Sequence, residues 1–433
     1  MTAPADRDVV RDRERSERPN VPWLDVDLTA NEIYRDGVPY ARFRTLREQH
    51  PVWRHPTVPT NRSPDGIGFW AVLGHPETLA VSRDWRTYSS LEGLAPTPTA
   101  PEIQGHTILT SDPPTHTRIR KLISAGFTPR MIARLDDLVV QRTTEVLDAA
   151  AAKNDINFVR DVAYALPMHM ISDIIGIPEA DRAEVFHWTD VIMRAADPTQ
   201  RITPAALGET QRSLFGYAAQ LGEEKRRHPV DDVWSILSTV TVEDDDGHAS
   251  SLSPLELDQF FLILTIAGSE TTRNVISTGL LAFLDHPEQM ELLRHDRELT
   301  ASATEEMLRW ASPVTCHFRT ATRDHELGGQ PIRAGDRVAL FFPAANRDPR
   351  AFDRPEQFDI RREPDFHVAF GGGGAHFCLG ANLARRELGV MFRHLLARFP
   401  ELELRGPVTH VVTGVEQTVA VSLDEVPVRL QPG

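Results

Sequence analysis

Four groups of side chains in this 433-residue chain have the types and spacing to do chemistry. The first is Phe370-Gly371-Gly372-Gly373-Gly374-Ala375-His376-Phe377-Cys378-Leu379-Gly380, which runs straight into a helix-like segment from Ala381 to Leu388. Consecutive glycines permit positive φ and let a flat ligand approach the backbone, and a cysteine opening a helix has its thiolate favoured by the N-terminal dipole. The stretch presents a single thiolate ligand. The second group is Asp112-Pro113-Pro114-Thr115-His116-Thr117-Arg118-Ile119-Arg120-Lys121. Asp112 ahead of proline reads as a helix N-cap, which puts His116 and Arg120, at i and i+4, on one face with their donors pointing the same way. The third, Ala267-Gly268-Ser269-Glu270-Thr271-Thr272, places an acid and hydroxyls inside an apolar helical run, where they cost propensity and demand partners. The fourth is Glu306-x-x-Arg309, a helical i,i+3 ion pair.

Each group alone has an ordinary explanation. A lone cysteine is commonly a small buried hydrophobe, HxxxR a cationic surface face, a mid-helix threonine a donor to its own i−4 carbonyl, and an i,i+3 pair a surface ornament. Two other chemistries fail on spacing. A dinucleotide loop needs a third glycine where His376 or Phe377 stands, and zinc or iron–sulfur binding needs about four Cys/His ligands in a chain that has only Cys316 and Cys378.

Taken together and in this order, the four groups resemble the cytochrome P450 superfamily, whose haem loop reads Phe-Gly-x-Gly-x-His/Arg-x-Cys-x-Gly. The resemblance implies haem b with Cys378 as axial iron ligand and Gly372, Gly374 and Gly380 as loop glycines against it. It implies His116, Arg120, Arg319 and His376 as partners of the haem propionates, with Arg118 and Lys121 facing outward. Glu270 and Thr271 would deliver protons beside an oxygen groove opened by Gly268, and Ile263, Leu264, Ala267 and Val314 would face the substrate. The Glu306–Arg309 pair normally meets an arginine from a P-x-R-F segment, but Pro355-Glu356-Gln357-Phe358 puts Gln357 there; Arg362 is the candidate replacement, which the sequence leaves open. Cys316 reads as packing.

The implied activity is insertion of oxygen from O2 into a C–H bond of an apolar substrate, with electrons from a separate ferredoxin and ferredoxin reductase. Arg118, Lys121, Arg130, Arg385 and Arg386 are the cations expected to steer that partner. One departure hints at a subfamily: Phe370 stands eight, not seven, positions before Cys378, so the loop carries an extra glycine. A similar loop continuing Gly-Ala-Asn-Leu-Ala-Arg resembles the P450s that hydroxylate methyl-branched lipids and sterol side chains. That favours a lipid-like or terpenoid/steroid substrate over the competing expectation, a polycycle or peptide oxidised by a natural-product tailoring P450. A non-catalytic haem-thiolate ligand binder, or a peroxygenase, would fit loss of Glu270 or Thr271, and both are present.

The elements that must position these groups follow from periodicity. Leu255 to Leu284 forms the strongest helical signal, apolar all round at Phe260 to Leu264 as a helix through a core requires. Helical spacing recurs from Arg130 to Ala152, from Ala163 to Ile177 and onward to Arg227. Val52-Trp53, Phe69 to Leu73 and Val314 to Thr322 read as strands, Ser89 to Ile108 as a loop, and Pro407 to Leu430 as a terminal hairpin. The expected fold is mainly α with a smaller β region, the cytochrome P450 fold, as one domain over 21–433 behind a disordered tail, 1–20. A net charge of −15 argues against nucleic acid or an anionic membrane as principal partner. The longest apolar stretch, Phe260 to Gly268, is about half the roughly twenty residues that span a bilayer, so no membrane anchor is expected and the cytoplasm is the default compartment.

Overall fold

The computed structural model describes residues 13–58, 65–195, 197–243, 249–363, 366–413 and 420–431. It is mostly helical, and the organising element is the 32-residue helix Pro254–Asp285, about 48 Å long. Ser253 starts it with a capping box: its hydroxyl accepts from the Glu256 N–H, and the Glu256 carboxylate accepts from the Ser253 N–H at 2.8 Å. Helices Ala165–Ile175, Pro204–Arg227, Thr300–Ala311 and Ala381–Arg398 pack around it. Gly268 is what allows one of them so close, because a Cβ there would lie 2.3 Å from Ile171 Cδ1. A side chain at position 268 would crowd Ile171, a packing reason for this glycine that stands beside the expected oxygen groove.

Beside the helices lies a five-stranded sheet in the order Val52–Val58, Ile67–Val72, Arg337–Phe341, Cys316–Ala321, Tyr88–Ser89. Only Ile67–Val72 and Arg337–Phe341 run parallel. Cys316 is buried in this sheet among Phe43, Phe69 and Phe318, which bears out packing as its role. The expected terminal hairpin forms between Thr409–Thr413 and Ala420–Glu425, but the last strand, Pro427–Gln431, leaves it to pair with Glu401–Leu404 and Asp155–Asn157. Of the tail expected to be disordered, 1–12 lie outside the described residues. Within 13–20, Glu14 pairs with Arg54 and Arg18 makes a bidentate pair with Asp336 at 2.8 Å, while the other six residues are exposed. Among the described residues no helix is long and apolar enough to cross a membrane.

Candidate active site

Cys378 stands three residues ahead of helix Ala381–Arg398, and its N–H donates to the Phe370 carbonyl at 3.0 Å, closing the loop on itself. Gly371, Gly373 and Gly374 take φ of 83°, 94° and 76°, the left-handed region the four-glycine run was expected to need. A Cβ on Gly374 would lie 2.5 Å from the Ser82 carbonyl and one on Gly372 would meet the Ser82 side chain at 2.7 Å, so helix His75–Arg83 gives both glycines a packing reason within the chain. Arg83 Nε adds a bond to the Gly372 carbonyl at 3.0 Å. Gly380 faces open space instead.

The Cys378 sulfur is solvent-accessible, yet burial pushes its thiol pKa up against the opposing pull of the Gly380 N–H, Arg120 and Arg385. Cys378 is thus exposed to solvent while surrounded closely enough by protein to be desolvated. An open position also lies in the middle of the central helix: Ala267 is exposed, and Ile263, Leu264 and Thr271, which share its face at i−4, i−3 and i+4, are partly so. Val314, also partly open, packs against the sheet side of the core. Thr271 Oγ1 donates to the Ala267 carbonyl at 2.8 Å. Glu270, by contrast, is buried and its Oε1 is bound by Arg273, Thr413 and Ser422.

His116, Arg120, Arg319 and His376 converge as expected from three separate elements. The His116 and His376 rings are 4.3 Å apart between centroids, and Arg120 reaches from one turn along the His116 helix to the Ala375 and Phe377 carbonyls at 3.2 and 2.8 Å. Arg319 comes from the sheet and, among the described residues, its side chain bonds only its neighbour's carbonyl, Phe318, at 2.7 Å. Burial, and then the cations around them, lower the pKa of His116 to about 4 and of His376 to about 2; burial alone takes Arg319 to about 10. Asp112 is the carboxylate that counters them. His116 Nε2 is buried without a hydrogen-bond partner. Such a cluster is built to meet an anion.

Several expectations change here. Helix Thr115–Ala125 starts after Pro114, and the Asp112 carboxylate does not cap it; it holds Ser89 Oγ at 2.5 Å and the Ser90 N–H at 2.9 Å, while Ser90 in turn touches His376 Nε2 at 3.1 Å. Asp112 and Ser90 are thus site residues that the motif reading missed; only the Asp-Pro-Pro run hinted at the first. Arg118 does not face outward: it pairs with Glu256 and ties its helix to the start of the central one. The other expected steering cations have partners within the chain, Lys121 the Glu243 carbonyl, Arg130 Asp231, Arg385 Glu305 and Arg386 Asp136, but Lys121 faces outward as expected and Arg130 is exposed as well. Arg362 takes the place left by Gln357, its Nε donating to Glu306 Oε2 at 3.0 Å beside the Arg309–Glu306 pair at 2.7 and 2.8 Å.

An exposed cysteine, a cluster of two arginines and two histidines, and partly open apolar residues on the central helix are the features that a haem-thiolate site would need. The donor set fits that cofactor: one soft ligand for iron, and cations with an orphaned imidazole nitrogen for its carboxylates. The cytochrome P450 family model matches residues 206–411. A putative cytochrome P450 126 of Mycobacterium tuberculosis is 43% identical over 399 residues, covering 88% of this chain and 92% of that protein. The steroid C26-monooxygenase of Rhodococcus jostii is 39% identical over 90% of this chain and 82% of its own length, and the methyl-branched lipid omega-hydroxylase of M. tuberculosis 37% over 89% and 90%. Among solved structures, Mycobacterium marinum cytochrome P450 CYP268A2 in complex with pseudoionone superposes with a TM-score of 0.84 at 36% identity, covering 94% of this chain and 99% of that one. The chain belongs to the cytochrome P450 family and is a monooxygenase of that family.

Proposed function

We propose that this P450 hydroxylates an apolar, lipid-like or terpenoid/steroid substrate, near a chain end, with electrons from a separate ferredoxin and ferredoxin reductase. The observation that carries the substrate class is the uncharged face formed by Ile263, Leu264 and Ala267, the first two partly open and the third exposed in mid-helix, with Val314 as the apolar residue offered from the sheet side. An apolar wall binds hydrocarbon better than charge, at roughly 25 cal/mol per Å² removed from water. Two relatives whose names specify lipid and steroid side-chain oxidation, and a neighbour solved with an isoprenoid ketone, support the same class.

In this reading Cys378 would hold haem iron, and His116, Arg120, Arg319 and His376 would hold its propionates, relieving their mutual repulsion. When bound, haem with a thiolate ligand supplies oxygen activation and C–H oxidation. The chain's own residues do the rest. The apolar stripe orients the substrate and excludes water; Thr271 Oγ1, parked on the Ala267 carbonyl, holds the proton that must be delivered, and Glu270 restores it.

Two experiments test this. Cys378→Ser is expected to abolish the thiolate signature of the ferrous carbonyl spectrum and Cys316→Ser to leave it; an unchanged spectrum in the first would sink the ligand assignment. Purified protein titrated with branched fatty acids, sterones, terpenols and polar aromatic metabolites, followed by the haem absorption shift, is expected to respond to the lipid set. Tight binding only to the polar aromatics would replace this substrate class with the tailoring one.

A further inference from the structure

The acid of the central helix is held from outside that helix. Glu270 Oε1 accepts from Arg273 Nη2 at 2.5 Å, from Ser422 Oγ at 2.6 Å and from Thr413 Oγ1 at 3.1 Å, three donors on one oxygen. Oε2 has no donor among the described residues. Arg273 is one turn along the same helix, but Ser422 and Thr413 sit on the two strands of the C-terminal hairpin. Thr413 pairs with Ala420 and Ser422 lies two residues further along that strand, so both side chains share one face of the ladder, their hydroxyls 3.4 Å apart.

The hairpin is docked independently of these hydroxyls. Asn274 Nδ2 donates to the Val421 carbonyl at 2.9 Å, Arg194 pairs with Asp424 at 2.7 Å, and Asn157 Nδ2 donates to the Asp424 carbonyl at 3.3 Å. All three contacts persist if Ser422 or Thr413 loses its oxygen. Packing gives no reason for hydroxyls at these places either: Thr413 and Ser422 are 1% exposed, on strands whose neighbours Val411, Val412, Val421 and Leu423 are apolar. What the two hydroxyls accomplish is to direct one carboxylate.

We propose that Ser422 and Thr413 are positioning residues for proton delivery, fixing Glu270 through Oε1 so that Oε2 is the oxygen that exchanges protons. In that cycle Oε2, protonated by hydronium from bulk solvent, gives the proton up through water towards Thr271 Oγ1, which restores the carboxylate, so the only thing consumed is a bulk proton. Without the hairpin hydroxyls the carboxylate keeps Arg273 but is free to turn about its terminal bond, which scrambles the two oxygens. This inference rests on the proton role assigned to Glu270.

The test uses the haem-loaded enzyme with a substrate that shifts its spectrum, and measures peroxide released and product formed per reducing equivalent in Ser422→Ala, Thr413→Val, the double variant, Ser422→Thr and Glu270→Gln. The double variant is expected to raise peroxide relative to product on the order of tenfold, the factor carried by a lost hydrogen bond to a charged group, with unchanged substrate affinity. Ser422→Thr is expected to restore coupling, which a purely packing role would not predict because the added methyl crowds the same buried site. A crystal structure of the ligand-free double variant gives a readout apart from turnover: the Glu270 carboxylate is expected to leave its present orientation while the Asn274–Val421 bond persists. If Glu270→Gln itself leaves coupling intact, the proton role of Glu270 fails. If Glu270→Gln uncouples but the folded double variant does not, or its carboxylate stays in place, the positioning role is overturned.

Discussion

Two buried clusters of arginine in this molecule look alike in composition and differ in what surrounds them. In the first, Arg309 is 1% exposed, yet its guanidinium is satisfied: Glu306 accepts twice, and the carbonyls of Asn346, Pro355 and Gln357 accept at 2.9, 3.0 and 3.2 Å. Arg362 and the Asp359 N–H complete the Glu306 side. In the second, Arg319, Arg120, His116 and His376 have carbonyls, the Ser90 hydroxyl, one another and, among the described residues, one opposing acid, Asp112, whose oxygens are already bound to Ser89 and Ser90. Burial costs both clusters the same kind of desolvation. One offsets that cost within the chain, and the other leaves it to a ligand. Complete satisfaction marks a structural network, and a deficit of anions marks a binding site.

The largest effect should come from breaking the satisfied cluster. Arg309→Ala leaves Glu306 as a buried carboxylate with only Arg362 as cationic partner, and removal of one member of a buried pair costs about 3–5 kcal/mol. Loss of soluble folded protein, or a thermal midpoint lowered by many degrees whether or not haem is present, is the expected result. A stable Arg309→Ala protein that merely bound haem poorly would place this network in the other category.

The opposite sign is expected for the unsatisfied cluster. Arg319→Leu removes a cation whose own protonation is disfavoured by burial and which helps to suppress protonation of both histidines. The haem-free protein should be as stable as before or slightly more so, by up to about 1 kcal/mol, while the rate of haem loss to a scavenging acceptor rises about tenfold for the lost charge-assisted contact. Equal destabilisation of haem-free and loaded protein would mean that Arg319 is a structural residue like Arg309.

The contrast also explains what could be read in the chain beforehand. The central helix, the strands around Phe69 and Phe318 and the thiolate loop were legible because local periodicity or a compact motif carries each of them, whereas the grouping of His116, Arg120, Arg319 and His376 was legible only through the resemblance to a known family. The direction of a polar side chain across a long sequence separation was not. Nothing local says that Arg118 turns to Glu256, that Asp112 holds Ser89, that Arg362 replaces the arginine missing at Gln357, or that Glu270 is gripped by Thr413 and Ser422. Gly268, Gly372 and Gly374 were legible as glycines that matter but not for what, since their close neighbours, Ile171 and Ser82, come from other helices.

The smallest expected effect is a slope, and it isolates the deficit of anions most directly. An unfolded histidine titrates near about 6.5, whereas His116 and His376 are depressed in the fold to about 4 and about 2, by burial first and then by Arg120 for the former and by Arg319 and His116 for the latter. Between those values the unfolded chain binds more protons than the folded one, so stability must rise with pH and fall as acid is added. The loss begins as pH drops below about 6.5 and continues to about 4 for His116 and lower for His376, each histidine contributing up to about 1.4 kcal/mol per pH unit. Asp112, the acid acting on His116, opposes the depression without cancelling it. Haem carboxylates set against the cluster would raise both pKa values towards the ordinary one and flatten the slope. Urea unfolding of haem-free protein at pH 6.5, 5.5 and 4.5 should therefore show a steeper loss than the haem-loaded protein, and His116→Gln with His376→Gln should flatten the haem-free curve alone. If the double variant and the parent lose stability in parallel, the cluster is not the source of the acid sensitivity and the anion it awaits must be sought elsewhere.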